Sequence, residues 1–187
     1  YEKLQFGNQP LGWDIGGDEP TVKSFIRDDF VKYMESLYSP KNMAIVYAGK
    51  LPNDIEKLAE KYFLDLPVKQ QSKFTAYKKS KQTQAKVNIF YKKTDQANLI
   101  LGVEGFDRYD DKRYIGDILS VILGEGMSSR LFIQVRERRG LAYRINASSN
   151  SYADTGSFTA YAGLKLEKVY EGLELIYAEL MRTAMEK

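Results

Sequence analysis

The chain has 187 residues and contains neither histidine nor cysteine. That double absence removes the commonest zinc ligands, the commonest general base and the best thiol nucleophile. Hydrolysis of the usual kinds therefore cannot be completed within this chain. Only an all-carboxylate magnesium or calcium site stays open, and there is no D-x-[DN]-x-[DN]-G loop to form one; the phosphate-binding G-x-x-x-x-G-K-[ST] loop is missing too. No apolar run approaches the roughly 18 residues of a membrane span, and no signal peptide is visible. An excess of one charge is lacking as well: 28 Lys and Arg against 25 Asp and Glu leave a formal charge of +3. Such an excess is too small to imply a polyanionic partner. The lack of cysteine suits the bacterial cytoplasm and the periplasm equally, so the compartment stays open.

What is present is enough apolar material, 43% of residues, to bury a core. "FGNQPLGWDIGG" reads as an irregular loop around Trp13. In "RDDFVKYMESLY", Phe30, Tyr33, Met34 and Leu37 draw one apolar stripe on a helix, with Asp28 and Asp29 at its positive end. "MAIVYAG", Met43 to Gly49, predicts a strand covered on both faces. "LPNDIEKLAEKYF" predicts a helix capped by Asn53, with Ile55, Leu58, Ala59 and Tyr62 as its stripe. From Lys69 to Lys93 come eight lysines and no acid, starting with "KQQSK", which reads as a basic linker running into a strand in which Val87, Ile89 and Tyr91 alternate with polar residues. Its aromatics form no evident stacking platform for nucleic acid.

"NLILGVEGF" predicts a further strand, and the helix after "DRYDD" carries Ile115, Ile118, Leu119 and Ile122. Two strands, "AYRINASSNSY" and "GSFTAYAG", flank the turn "ADTG", and a long helix follows with Leu166, Val169, Tyr170, Leu173, Ile176, Tyr177 and Leu180 on one side. Pairs of consecutive strands separated by helices predict an α+β layer: a largely antiparallel sheet with helices over one face. The tripeptide "YAG" occurs at Tyr47 to Gly49 and Tyr161 to Gly163, too little to establish a repeat. A chain beginning at Tyr1 and ending within a helical pattern at Lys187 reads as a piece of a longer protein.

"GEGMSSRLFIQVRERRGLAY", Gly124 to Tyr143, concentrates the unusual choices. As a phosphate cradle it fails, because Glu125 would sit beside the anion, no loop lysine is present and no strand precedes it. Ser128 or Ser129 is a good N-cap for the helix that follows, and Gly140 a C-terminal cap. Arg136 lies at the edge of that helix's apolar face and Tyr143 begins the next strand, so both could serve one side of a cleft. Arginine clamps carbonyls or carboxylates with parallel donors, and a tyrosine hydroxyl can donate to a carbonyl oxygen as it becomes negative. Spacing alone leaves open a surface ion pair of Arg136 with Glu137 and a core role for Tyr143.

These segments, together with "NQPLGWDIGG", "YSPKNMAIVYAGKLPNDIEKLAEKYF", "TDQANLILGVEGF" and "YADTGSFTAYAG", resemble in order and spacing the pitrilysin/insulinase family of zinc metallopeptidases, which includes the mitochondrial processing peptidase. The resemblance implies two homologous α+β halves facing each other across a cleft. Zinc would lie in the first, on an H-x-x-E-H motif and a downstream glutamate that precede this chain. It further implies that residues 1–67 end the zinc-bearing half, 68–84 form the basic linker and 85–187 begin the second, non-catalytic half. "RERRGLAY" matches the family's Arg and Tyr at Arg136 and Tyr143, and Gly124, Glu125 and Gly126 match a glycine-rich substrate loop. Glu125 departs from the all-glycine pattern, and Gly49-Lys50 from the family's "GD".

The implied role is the non-catalytic, substrate-binding portion of a zinc metallopeptidase. This chain would itself bind no cofactor, the zinc coming from the rest of the enzyme or from a partner. The implied partners are a peptide or unfolded-protein substrate and a homologous zinc-bearing half or subunit, in a homo- or heterodimer, with no nucleic acid and no membrane. The alternative is a catalytically inactive scaffold homologue.

Overall fold

Three of the five predicted strands close into one sheet. In the computed structural model, which describes residues 1–68 and 74–186, these are β1 (Gln96–Gly105), β2 (Ala142–Ser151) and β3 (Gly156–Lys165), in the order β1-β3-β2 with both pairings antiparallel. The "ADTG" turn holds β2 to β3, with the Tyr152 N–H donating to the Thr155 carbonyl at 2.8 Å. The helices are α1 (Glu2–Phe6), α2 (Glu19–Ser24), α3 (Arg27–Leu37), α4 (Ile55–Phe63), α5 (Arg113–Gly124) and α6 (Val169–Met185). A π-helical segment, Phe132–Glu137, lies between α5 and β2. The predicted α+β layer with an antiparallel sheet is the observed architecture. Among the described residues no helix is long and apolar enough to cross a membrane.

The chain divides into two compact units, Tyr1–Trp13 with Tyr77–Lys187, and Asp14–Ala76. In the first, register assigns each sheet residue to a face. Leu99, Ala162 and Ile145 lie in one row and Leu101, Ala160 and Ala147 in the next. With Leu123, Leu131, Val135, Leu164 and Ile176 they build the core. The alternate residues form the other face: Arg144, Asn146, Ser148 and Asn150 from β2, Ser157, Thr159 and Tyr161 from β3, and Asn98 from β1. α1 is fixed by the Gln5 side-chain amide on the Gly156 carbonyl at 3.2 Å and by Phe6, which meets Tyr77 and Tyr152 edge-on.

α5 turns most of its predicted apolar stripe away from the core, with only Leu119 of the four packed against it, and α6 turns part of its stripe away. On α5, Ile115, Ile118 and Ile122 are exposed, while Gly116, Leu123 and Gly124 are buried. A Cβ on Gly124 would stand 1.9 Å from the Ala147 nitrogen, so the helix lies on β2 closer than any side chain allows. On α6, Ile176 is buried and Val169 and Leu180 pack against the core as the stripe predicts, while Tyr170 and Tyr177 face out and Gly172 and Glu179 face in. Gly172 seats on the Leu164 side chain.

In the second unit, α3 and α4 form where expected, yet neither contains a buried residue, and Phe30, Tyr33 and Met34 are exposed. The predicted Asn53 cap is replaced by Asp54, whose side chain makes no capping bond. Met43 to Gly49 is not a strand, nor is the stretch holding Val87, Ile89 and Tyr91. A strand exists by virtue of its ladder, and no described strand pairs with either; apolarity alone does not supply one. The "KQQSK" opening of the basic stretch, 69–73, lies outside the described residues.

Candidate functional site

The segment from Gly124 to Tyr143 is built from local irregularities. Gly124 ends α5 against β2, and Glu125 and Gly126 are exposed beyond it, Gly126 at φ +82, a conformation that favours glycine. Ser129 is buried and does not cap by accepting: its hydroxyl donates to the Gly126 carbonyl at 2.8 Å, tying the loop down. The chain then widens into the π-helical turn, where the Arg138 N–H reaches the Ile133 carbonyl at 2.9 Å. Single π-helical turns recur at functional sites.

Two nested bonds stop the segment. The Gly140 N–H donates to the Arg136 carbonyl and the Leu141 N–H to the Val135 carbonyl, both at 3.0 Å, with Gly140 at φ +60. Each spans one residue more than the corresponding bond in an α-helical stop. Immediately afterwards β2 carries a bulge. Ala142 pairs with Leu164 and Arg144 with the adjacent Gly163, leaving Tyr143 as the extra residue. Tyr143 is 53% exposed, so it is not a core tyrosine, and its hydroxyl makes no hydrogen bond among the described residues.

The four arginines of this segment separate by partner. Arg130 bridges Glu179 and Glu186, each at 3.2 Å. Burial opposes its charge, but the two carboxylate bonds outweigh that and raise its pKa. Arg138 and Arg139 turn back onto Gln134. Arg136 alone has no hydrogen bond or ion pair among the described residues, so the alternative pairing with Glu137 does not form. Its guanidinium stacks over Phe132, 5.0 Å from the ring centre, which aims the group without using its donors. The structure thus brings Arg136 and Tyr143 to opposite ends of one pinned turn, each with its polar atoms free.

Arg144 stands out only in the fold. It occupies the sheet row of Gly163 and Asn98, on the face away from the core, with its guanidinium 5.8 Å from the centre of the Tyr161 ring. The Tyr161 hydroxyl donates to the Asn98 side-chain oxygen at 2.6 Å. The available signal was register, legible only once the bulge is known.

Zinc does not fit the donor set of this chain. It has no histidine or cysteine, and among the described residues no three carboxylates converge to hold a metal.

An α+β domain with an antiparallel sheet, one polar sheet face and, among the described residues, no metal-binding cluster is the class that these features define. The family model for the peptidase M16 inactive domain matches residues 24–187, and the chain belongs to that family. It is 37% identical over 185 residues to an uncharacterized zinc protease of Rickettsia bellii, covering 96% of this chain and 43% of that protein. With the uncharacterized zinc protease YmxG of Bacillus subtilis it shares 36% over 183 residues, covering 96% and 44%. The chain thus spans less than half the length of these relatives.

Among solved structures, a protease from Helicobacter pylori superposes with a TM-score of 0.83 at 22% identity, over 96% of this chain and 45% of that one. A peptidase M16 inactive domain from Pseudomonas fluorescens does so with 0.83 at 23%, over 97% and 45%. At these identities the likeness is one of fold.

Proposed function

We propose that this chain is the non-catalytic, substrate-binding portion of a zinc metallopeptidase, the zinc being held outside it in another part of the same protein or in a partner subunit. The observation that carries this reading is the contrast among the arginines: Arg130, Arg138 and Arg139 are committed to internal partners, while Arg136 and the bulged Tyr143 keep their donors free. Membership of the inactive-domain family and relatives named as zinc proteases support the class.

In this reading Arg136 grips a peptide carbonyl or terminal carboxylate with two parallel N–H donors. Tyr143 donates its hydroxyl proton to the scissile carbonyl oxygen as negative charge builds there. Glu125 and Gly126 shape the cleft wall beside them, and Gly124 anchors that wall by its close packing on β2. Residues 1–67 then complete the zinc-bearing half, 68–84 link the two halves and 85–187 open the second.

Peptide cleavage by the full-length protein tests the assignment. Tyr143→Phe lowers kcat about a hundredfold, the scale of losing one oxyanion donor. Arg136→Ala lowers kcat/KM by about tenfold or more, as expected for a lost charge-assisted bond. If both variants fold with unchanged melting temperature and keep full kcat/KM, the roles are wrong. A full-length protein that neither cleaves nor binds peptides would instead be the scaffold homologue.

A further inference from the structure

The uncovered sheet face has a charge at one end that the roles above do not use. Gly163 has no side chain, so nothing on β3 stands between Arg144 and the row beyond it, and the guanidinium leans diagonally onto Tyr161. That ring is itself held in place by its bond to Asn98. Arg144 is exposed and makes no hydrogen bond or ion pair among the described residues, so all its N–H donors are available in an aimed, planar group.

Tyr161 also lines an open cavity of about 350 Å³ along the same face, with Ile100, Thr159, Ser157, Tyr152 and Tyr1, the residue just before α1, as further wall. Burial, with Tyr152 nearby, pushes the Tyr1 phenol up to about 12, so it stays neutral. The carboxylates lie toward the other end. Glu2 lines the cavity beside Tyr152, and Glu104, in the row of Ser157 and Asn150, is held by Lys79 at 2.6 Å. A chain laid along this face meets a free cation at the Arg144 end and an acid at the other.

We infer that Arg144 is a specificity-determining residue that selects peptides presenting a carboxylate beside Tyr161, at the Arg144 end of the uncovered sheet face. The inference rests on the peptide-binding reading proposed above. Arg144 receives the carboxylate with two parallel N–H bonds while Tyr161 supports the guanidinium from beneath, and Glu2 disfavours the reversed orientation. Two sources share this chemistry: an acidic side chain within the substrate and the carboxylate of its C-terminus.

The test uses the full-length protein and four otherwise identical fluorescent peptides: a glutamate or a glutamine at one position, each with a free or an amidated C-terminus. Wild-type protein binds a carboxylate-bearing peptide about tenfold more tightly than the fully neutral one, and this preference weakens with salt. Preference for Glu over Gln among amidated peptides identifies the side chain as the source; preference for free over amidated Gln peptides identifies the terminus. Arg144→Met, which keeps the apolar stem, removes the preference and leaves affinity for the neutral peptide within about twofold. Arg144→Glu reverses it toward a lysine-bearing peptide.

An equal carboxylate preference in wild type and Arg144→Met overturns the inference by itself, whereas a protein that binds none of the four overturns it together with the reading beneath it. Failure of the underlying reading looks different: Arg136→Ala and Tyr143→Phe then leave cleavage of every peptide unchanged, whatever Arg144→Met does.

Discussion

The two compact units use the same kind of sequence to different ends. In the unit that holds the sheet, Leu131, Val135, Leu164 and Ile176 are almost fully buried. In Asp14–Ala76, α3 carries an equally regular stripe of Phe30, Tyr33 and Met34, yet it buries none of them, and Ser39 is the unit's only buried residue among those described. An amphipathic pattern states which face of a helix wants cover; whether cover exists depends on what else the chain brings there. The sheet supplies it in one unit. In the other, order rests on local bonds, such as the Asp18 carboxylate accepting from the Thr21 N–H at 2.8 Å and Asp29 accepting from the Ile26 N–H at 3.1 Å. The boundary of this unit differs from the proposed 1–67 segment, because Tyr1–Trp13 belong with the sheet.

The contrast breaks first, if it is wrong, at the core. Gly124→Val drives two γ-carbons and a Cβ into the β2 backbone and costs about 3 kcal/mol, at the top of the overpacking range. Leu131→Ala costs a similar amount, about 3 kcal/mol, through the cavity it leaves. Phe30→Ala, an equally drastic truncation of a 59% exposed ring, shifts the stability of this chain by no more than about 0.5 kcal/mol. Urea unfolding of the three variants ranks them, and a Phe30→Ala loss comparable to that of Leu131→Ala would show that the α3 stripe has cover after all.

The long helices were legible because periodicity is a direct consequence of chain geometry, and β1 to β3 with the "ADTG" turn were legible as short strand-like runs bounded by turn residues. The clearest alternation, Val87, Ile89 and Tyr91, and the apolar run Met43 to Gly49 form no strand, because a strand needs a paired neighbour and no described strand pairs with either. The orientation of α5 was not legible. Of its apolar stripe only Leu119 packs against the core while Ile115, Ile118 and Ile122 point outward, and the side that meets the sheet is marked by Gly116 and Gly124, where the signal is absence of a side chain. Hydrophobicity scoring cannot register a close approach. The π-helical turn and the Tyr143 bulge likewise leave no compositional trace, since each inserts one residue into a repeat without changing residue type.

At the candidate site, the residue types and the Arg136–Tyr143 spacing were readable, and the resemblance assigned them roles. What separated Arg136 from its neighbours was partner choice, and that depends on distant chain: Arg130 is held by Glu179, 49 residues on. Asp28 and Asp29 were legible at the start of α3, but Asp18 as the cap of α2 was not singled out.

A smaller effect tests how the sheet unit treats charge. Glu179 is 5% exposed and accepts from Arg130 at 3.2 Å and Arg182 at 2.9 Å. Glu179→Ala leaves the partly buried Arg130 with one carboxylate instead of two and costs about 2 kcal/mol in thermal or urea unfolding. Arg182→Ala, on the exposed side of the same network, costs less than about 1 kcal/mol. Equal effects would mean that burial does not set the strength of this network.

The smallest effect belongs to the other unit and to pH. The Asp18 side chain is fully exposed, and its hydrogen bonds from Thr21 hold its carboxyl below the usual carboxylate range. Because the folded-state pKa is depressed, the capping contribution is fully present above the unfolded value and is lost as pH falls through the folded one. The protection factor at Thr21, its exchange rate referred to the intrinsic rate at the same pH, therefore falls in that acid window. Asp18→Asn keeps an accepting oxygen at the cap and removes the titration, so its Thr21 protection stays level across the same window. The buried core of the sheet unit gives no comparable response at Ala160 or Ala162, whose burial is independent of Asp18. Thr21 protection that does not change with pH in wild type would show that α2 is held by something other than its cap, and local bonding would then not be what distinguishes Asp14–Ala76.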